Sequence, residues 1–424
     1  MGMTIAEKAL ARASSREVVV PGDYVDAKID RIIGSESCSK MQSEAMAAGF
    51  KDGIPRVWDN ERVHIYMEHK QPALNPSHAN ANKILRELVK KHNIINFTDT
   101  VFGVIHQLAA EECAMPGELA LGNDSHSCAW GALNCVCCAL GEHELAYAYC
   151  FGEIWMRVPE TIKVVLTGEI PKWNYAKEII LWLAGKYTSS FALDKAIEYT
   201  GPAASKMSMS SRLCLTTHTI ELGGKFGVFP YDAVTESFLK EHRSNFDPSM
   251  VKSFSADADA KYCQEVVLDL STLEPQVAVP HSFDHVVPVS QVAGTPVQQV
   301  MIGSCANGRV EDMESVARIL EGKKVAKGTR LIIQPASWKV YRECMHNGIL
   351  DTMFDAGAQI LNPGCHICLG LQGVLPDGET CVSSCTRNFK GRAGNEKGFI
   401  YLGGPETAAA AAIAGKIIDP REVE

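Results

Sequence analysis

The stretch NPGCHICLG (Asn362–Gly370) sets Cys365 and Cys368 three apart, with Pro363-Gly364 before them and Leu369-Gly370 after. That spacing serves half a zinc site, a dithiol redox pair or part of an iron–sulfur cluster, because thiolates are both soft ligands and nucleophiles. A redox pair of the thioredoxin kind opens a helix after a strand. Here the flanking Pro and Gly make a loop whose backbone can approach something bulky. A structural zinc site needs four ligands, and the other tight group of thiols, Cys135, Cys137 and Cys138 in NCVCC, lies in a hydrophobic stretch that reads as core. A third loop thiol, Cys305 in IGSCANGR, follows a predicted strand in the same C-terminal region. Loops at the carboxyl ends of parallel strands converge on one crevice, so Cys305 can meet the Cys365/Cys368 pair. Three thiolates suit a cubane [4Fe–4S] cluster with one iron left free of protein ligands. Such an iron is a Lewis acid for a hydroxyl and a carboxylate.

Acid and base groups lie upstream. NDSHS supplies Asp124, Ser125 and His126; GVIHQ supplies His106; MEHKQP supplies Glu68 and His69; ELGGK supplies Glu221. A histidine oriented by a carboxylate suits general-acid work near neutral pH. Each of these histidines also reads as a hydrogen-bonded structural residue, and Glu221 as a helix-end charge. CTRNFKGR carries Arg387 and Arg392, five apart around Asn388 and Gly391. A loop arginine is commonly a solvated charge, but two at this spacing can clamp carboxylates through the planar guanidinium fork.

The elements that must position these groups alternate between strand and helix. TIKVVLTGEI, VQQVMIGS and TRLIIQPAS read as buried strands, and AKEIILWLAGKY and EDMESVARILEG as helices, which is the βαβ pattern of a mostly parallel sheet. The alanine run of GPETAAAAAIAGKI is a helix with Pro405 near its start and Gly415 at its end. The proline-bearing stretch 273–294 reads as a linker. Three domains are expected, over residues 1–162, 163–285 and 286–424. A capping box, Thr4 with Glu7, opens the chain where a signal peptide would need a continuous apolar run. No segment approaches the roughly 20 apolar residues of a membrane span. Fifteen cysteines, an odd number, fit reduced thiols and a cytoplasmic protein. A net charge of −9 without a basic stripe argues against nucleic acid as a partner.

IGSCANGRVED, GCHICLG and CTRNFKGR, in that order, resemble the aconitase superfamily, and most closely the large subunits of the 3-isopropylmalate dehydratase type. The likeness extends upstream through GVIHQLAAEE, PGELALGNDSHSCAWGAL, WMRVPETIKVVLTGE and ELGGKFGVFPYD. It implies an aconitase-like α/β fold of three α/β/α domains around a [4Fe–4S] cluster, held by Cys305, Cys365 and Cys368 with one iron open. It implies that Asp124 and His126 protonate the leaving hydroxyl, supported by Glu68, His69, His106 and Glu221. By the same likeness Ser125, Arg387 and Arg392 bind a hydroxy dicarboxylate. The reaction expected is dehydration or isomerisation of 3-isopropylmalate or a close alkylmalate, with 2,3-dimethylmalate dehydratase and homoaconitase as alternatives. A non-catalytic iron–sulfur sensor is the reading from a different class. The chain ends soon after the alanine-rich helix, so the swivelling fourth domain and its serine base are expected on a separate small subunit. Three features depart from the family pattern: Glu68 in place of Asp, Thr386 in place of Asn, and the Arg31–Ser37 segment in place of a His-Asp or Gln-Asp motif.

Overall fold

A computed structural model describes residues 2–100, 102–173 and 175–423. Among the described residues, the alternation of apolar runs and helices builds three larger sheets and a two-stranded ribbon. The first holds β2 to β6, after a strand β1 (Tyr24–Lys28) that pairs elsewhere: β2 (Arg31–Ser35), β3 (Val63–Tyr66), β4 (Asn96–Thr98), β5 (Leu119–Gly122) and β6 (Val136–Ala139). They lie in the order β4-β3-β2-β5-β6, all parallel. β1 forms an antiparallel ribbon with β7 (Glu153–Arg157). The second sheet is β8 (Thr161–Thr167), β9 (Ala196–Thr200), β10 (Phe226–Val228) and β11 (Gln264–Asp269), again parallel, in the order β10-β9-β8-β11.

The third sheet holds β12 (Gln276–Ala278), β13 (Val286–Pro288), β14 (Gln299–Gly303), β15 (Arg330–Gln334), β16 (Gln359–Ile360), β17 (Thr380–Ser383) and β18 (Phe399–Gly403), in the order β13-β12-β18-β17-β14-β15-β16. β14 to β18 run parallel. The stretch 273–294, read from sequence as a linker, contributes the antiparallel strand β12 and, beyond it, the edge strand β13. Proline is tolerated at a sheet edge, where a missing N–H costs no ladder bond.

Side-chain alternation sorts each central strand onto two faces. In the first sheet Ile32, Leu119 and Leu121 enter one core, while Ile33 and Ala120 enter another. In the third, Val300, Ile302, Leu331 and Ile333 pack under the helices Val310–Leu320 and Pro405–Ala414. Met301, Ile332 and Cys381 face the opposite way, into a cluster with Cys305, Cys365, Cys368 and Cys385. The thiols therefore lie on the face of the third sheet away from its main helices. Residues 230–260 reach back over the first sheet. Leu239 and Phe254 join its cores, and Arg243 donates to the Ala110 and Ala114 carbonyls at the end of the helix Ile105–Glu112. Cys135, Cys137 and Cys138 are buried, as core residues would be. The Thr4–Glu7 capping box is present. Among the described residues, no helix is long and apolar enough to cross a membrane.

The second and third sheets are joined by the first turn of the helix Ala176–Tyr187. There Glu178, fully buried, accepts from the Gly404 amide at the start of the alanine-rich helix, and burial pushes its carboxyl up to about 8 from 4.5. A carboxyl raised in the folded state loses its proton first in the unfolded chain as pH climbs. Its contribution is therefore fully present below about 4.5 and is lost through the window up to about 8. Glu178→Gln keeps an acceptor for the Gly404 amide and should flatten this loss, whose slope is at most about 1.4 kcal/mol per pH unit for one proton. Urea midpoints of both proteins at about pH 5 and about pH 9 check this, the parent weakening more than the variant across the interval.

Candidate active site

Most of the candidate residues stand just past the carboxyl end of a parallel strand. β2 leads into Glu36, β3 into Glu68 and His69, and β5 into Asp124, Ser125 and His126. β14 leads into Cys305, β16 into the Cys365–Cys368 loop, and β17 into the loop of Arg387 and Arg392. His106 comes from the helix Ile105–Glu112, and Glu221 from the short turn His218–Leu222.

Asp124 is the hub. Its Oδ1 lies 2.8 Å from His106 Nε2 and accepts from the His126 amide at 2.8 Å, and its Oδ2 lies 3.1 Å from His69 Nε2. Burial alone would raise this carboxyl, but the pull of His106 and hydrogen bonds from all three histidines hold it well below its ordinary value. The network runs on from His126. Its Nε2 lies 3.1 Å from Glu221 Oε1, which accepts from Arg387 Nε at 2.6 Å. Ser125 Oγ is 3.5 Å from His126 Nδ1.

On the other side, His69 Nδ1 lies 2.8 Å from Glu68 Oε1 as an ion contact. Burial opposes charge on His69, yet Glu68 and Asp124 carry it well above its ordinary value. Burial pushes Glu68 up to about 7 against the pull of His69. His106 is driven the opposite way, lowered chiefly by burial, while His126 is raised by its bonds to Asp124 and Glu221 despite burial. One site thus holds a cationic His69 and a neutral His106, an arrangement that separates donor from acceptor.

The three loop thiols gather against this network. Ser304 Oγ lies 3.8 Å from Cys305 Sγ and 3.9 Å from Cys365 Sγ, and the Cys365 thiol hydrogen-bonds to Cys368. His106, His126 and Cys305 offer ligand atoms within 4.8 Å of one another, as do Glu68, His69 and Cys365. Cys368 Sγ meets Arg392 Nη2 at 3.0 Å and Thr386 Oγ1 at 3.2 Å. Hydrogen bonds from Cys365 and Cys385 hold Cys368 well below the ordinary thiol value, while burial raises Cys305. Arg387 and Arg392, expected as a clamp, are engaged on Glu221 and Cys368 respectively, so a dianion would meet them already oriented.

Several residues that hold this geometry were not singled out from the sequence. Glu36 lies under His69: its Oε2 accepts from the Glu68 and His69 amides at 3.1 and 3.3 Å, and it sits in the Arg31–Ser37 segment that departs from the family pattern. That departure was its only sequence signal. The Gln334 side chain, at the end of β15, fixes the CxxC loop at three points. It donates to the Asn362 carbonyl and His366 Nδ1 and accepts from the Ile367 amide. Arg309 donates to the Cys305 and Ala306 carbonyls and to Gln107. These are buried polar side chains serving backbone groups, and such pairings leave no periodic trace in a sequence.

With the geometry in view, the fold falls in the aconitase-like class. A solved structure of aconitase X from Thermococcus kodakaraensis, holo-form, aligns with a TM-score of 0.50 at 11% identity, covering 91% of this chain and 89% of that one. The chain belongs to the aconitase family: the family model, aconitate hydratase in its description, matches residues 56–415. It is 41% identical over 423 residues to the 3-isopropylmalate dehydratase large subunit 1 of Methanopyrus kandleri, covering 99% of each chain. It is 41% identical over 424 residues to the 3-isopropylmalate dehydratase large subunit 2 of Archaeoglobus fulgidus, covering all of both. A probable methanogen homoaconitase large subunit of Methanosarcina mazei is 43% identical over 373 residues, 87% of this chain and 93% of that one.

The turn from β14 into the Cys305 loop depends on Gly303. Its φ is +136°, and a Cβ there would lie 1.9 Å from the Gln334 carbonyl oxygen. Gly303→Ala should cost more than about 1 kcal/mol, since both the backbone conformation and the space forbid a side chain. A lowered Tm, together with faster reaction of the loop thiols with a thiol reagent, checks it.

Proposed function

We propose that this chain is the large, cluster-binding subunit of a hydro-lyase that dehydrates and rehydrates a hydroxy dicarboxylic acid, 3-isopropylmalate or a close alkylmalate, in leucine biosynthesis. The observation that carries the reading is the meeting of three buried loop thiols with a carboxylate that holds three histidines.

Cys305, Cys365 and Cys368 would hold a [4Fe–4S] cluster, one iron remaining without a protein ligand. The donor set fits. The sulfurs are buried together, Arg392 and Thr386 stand against Cys368, and Glu68 Oε2 is buried without a hydrogen-bond partner. When bound, the cluster supplies a Lewis acid for the substrate hydroxyl and one carboxylate.

The chain's own residues do the rest. His126, kept protonated by Asp124 and Glu221, gives its proton to the departing oxygen, with Asp124 holding its backbone amide and Glu221 fixing the ring. His69 and Glu68 hold charge beside the leaving oxygen, and neutral His106 donates through Nε2 to Asp124. Arg387, oriented by Glu221, and Arg392 take substrate carboxylate, with Ser125 as a further donor. The base for the carbon-bound proton comes from a small partner subunit that carries the swivelling domain and its serine. Homoaconitate and 2,3-dimethylmalate are the alternative substrates, since Glu68, Thr386 and the Arg31–Ser37 segment alter the polar lining.

Anaerobic reconstitution with iron and sulfide, followed by assay with the small subunit over a panel of alkylmalates, tests this. Cys365→Ser should lose both the brown absorption and turnover. Asp124→Asn should keep the absorption and cut kcat by roughly 10²–10⁴. Full activity in the serine variant would refute the proposal.

A further inference from the structure

Lys177 lies in the first turn of the helix Ala176–Tyr187, and none of its surface is exposed. Its Nζ donates to the Cys385 carbonyl at 2.6 Å and to His218 Nε2 at 2.8 Å. His218 Nδ1 lies 2.7 Å from the Cys214 carbonyl, so that nitrogen carries the hydrogen and Nε2 is the acceptor. Burial, then the adjacent ammonium, keeps this imidazole neutral. His218 therefore brings no negative charge.

An ammonium withdrawn from water costs several kcal/mol unless a counter-charge meets it. Among the described residues no carboxylate forms an ion pair with Lys177. The neighbouring Glu178 faces the Gly404 amide instead. Burial pulls this ammonium down from its ordinary value, and the nearby sulfurs of Cys214, Cys385 and Cys368 oppose that pull. Of these, Cys368 is the proposed iron ligand, and a ligating cysteine is a thiolate. The Cys385 carbonyl that Lys177 holds belongs to the loop whose next residue, Thr386, touches Cys368 Sγ, and whose Arg387 pairs with Glu221.

We propose that Lys177 is the buried counter-charge of the iron–sulfur site and the positioning residue that fixes the Cys385–Arg387 loop against it. The inference rests on the cluster-binding reading above. A fixed cation favours the more negative, reduced state of a cluster, because net charge and hydrogen bonding set its potential. The same bond ties the substrate arginine to the second sheet, where Glu221 sits.

The test uses the large and small subunits together, reconstituted anaerobically and titrated with dithionite while the cluster signal is followed by electron paramagnetic resonance. Lys177→Gln removes the charge and keeps a donor for the Cys385 carbonyl; Lys177→Met removes both. Both should shift the midpoint potential to more negative values, and the Met variant should also raise KM for the diacid. Cys214→Asp, which sets a competing carboxylate near an intact ammonium, should shift the potential the same way, and it serves where the Lys177 variants do not fold. An unchanged potential in these variants overturns the proposal. Failure of the unmodified protein to bind iron and sulfide overturns the cluster-binding reading instead.

Discussion

One buried carboxylate organises the site. Asp124 accepts from histidines that arrive on three separate segments, and it remains ionised where burial alone would protonate it. The balance is electrostatic. A single buried anion is costly, and so is each buried imidazolium, but together they offset one another as long as the geometry is held. The opposite shifts of His69 and His106 follow from this sharing, with Glu68 supporting the first and burial dominating the second. The thiols adjoin this network, and the arginine loop is joined to it through Glu221.

Topology supplies the convergence. Parallel strands end on the same side of their sheet, and loops leaving those ends share a crevice. The first sheet contributes Glu36, His69 and Asp124, and the third contributes all three loop thiols and both arginines. The second sheet contributes less directly. Its helices carry Lys177 and Glu178, which grip the ends of β17 and β18, and the turn after them carries Glu221. Close backbone approach completes the arrangement: Gly370, φ +65°, lies where any Cβ would be 2.3 Å from the Gly394 amide, bringing the CxxC loop against the arginine loop.

Much of this was legible from residue order. The βαβ pattern announced parallel sheets, and the Cys365/Cys368 loop lies past a strand end as its flanking residues implied, while Cys305, expected in a loop, lies in the short helical turn Ser304–Asn307 directly after β14. The helix Ala176–Tyr187 matches its apolar spacing residue for residue. The stretch 273–294 reads as a linker but holds β12 and the edge strand β13, where Pro288 is tolerated as readily as in a linker. Glu36, Gln334, Arg309 and Lys177 escaped notice for a common reason. Each is a polar side chain serving a backbone group or ring from a distant segment, and long-range pairing of that kind is invisible to spacing and periodicity. The arginines were recognisable as a pair, but their present partners, Glu221 and Cys368, depend on how the sheets meet.

The central claim is that an iron free of protein ligands stands beside the Asp124 network, ready for a hydroxy diacid. Mössbauer spectroscopy of the two-subunit complex reconstituted with ⁵⁷Fe, with and without 3-isopropylmalate, addresses it directly. The account predicts that one iron site in the cluster changes its spectrum on adding the diacid while the others keep theirs. A spectrum that the diacid leaves unchanged at every iron, in a complex that turns the substrate over, would contradict it.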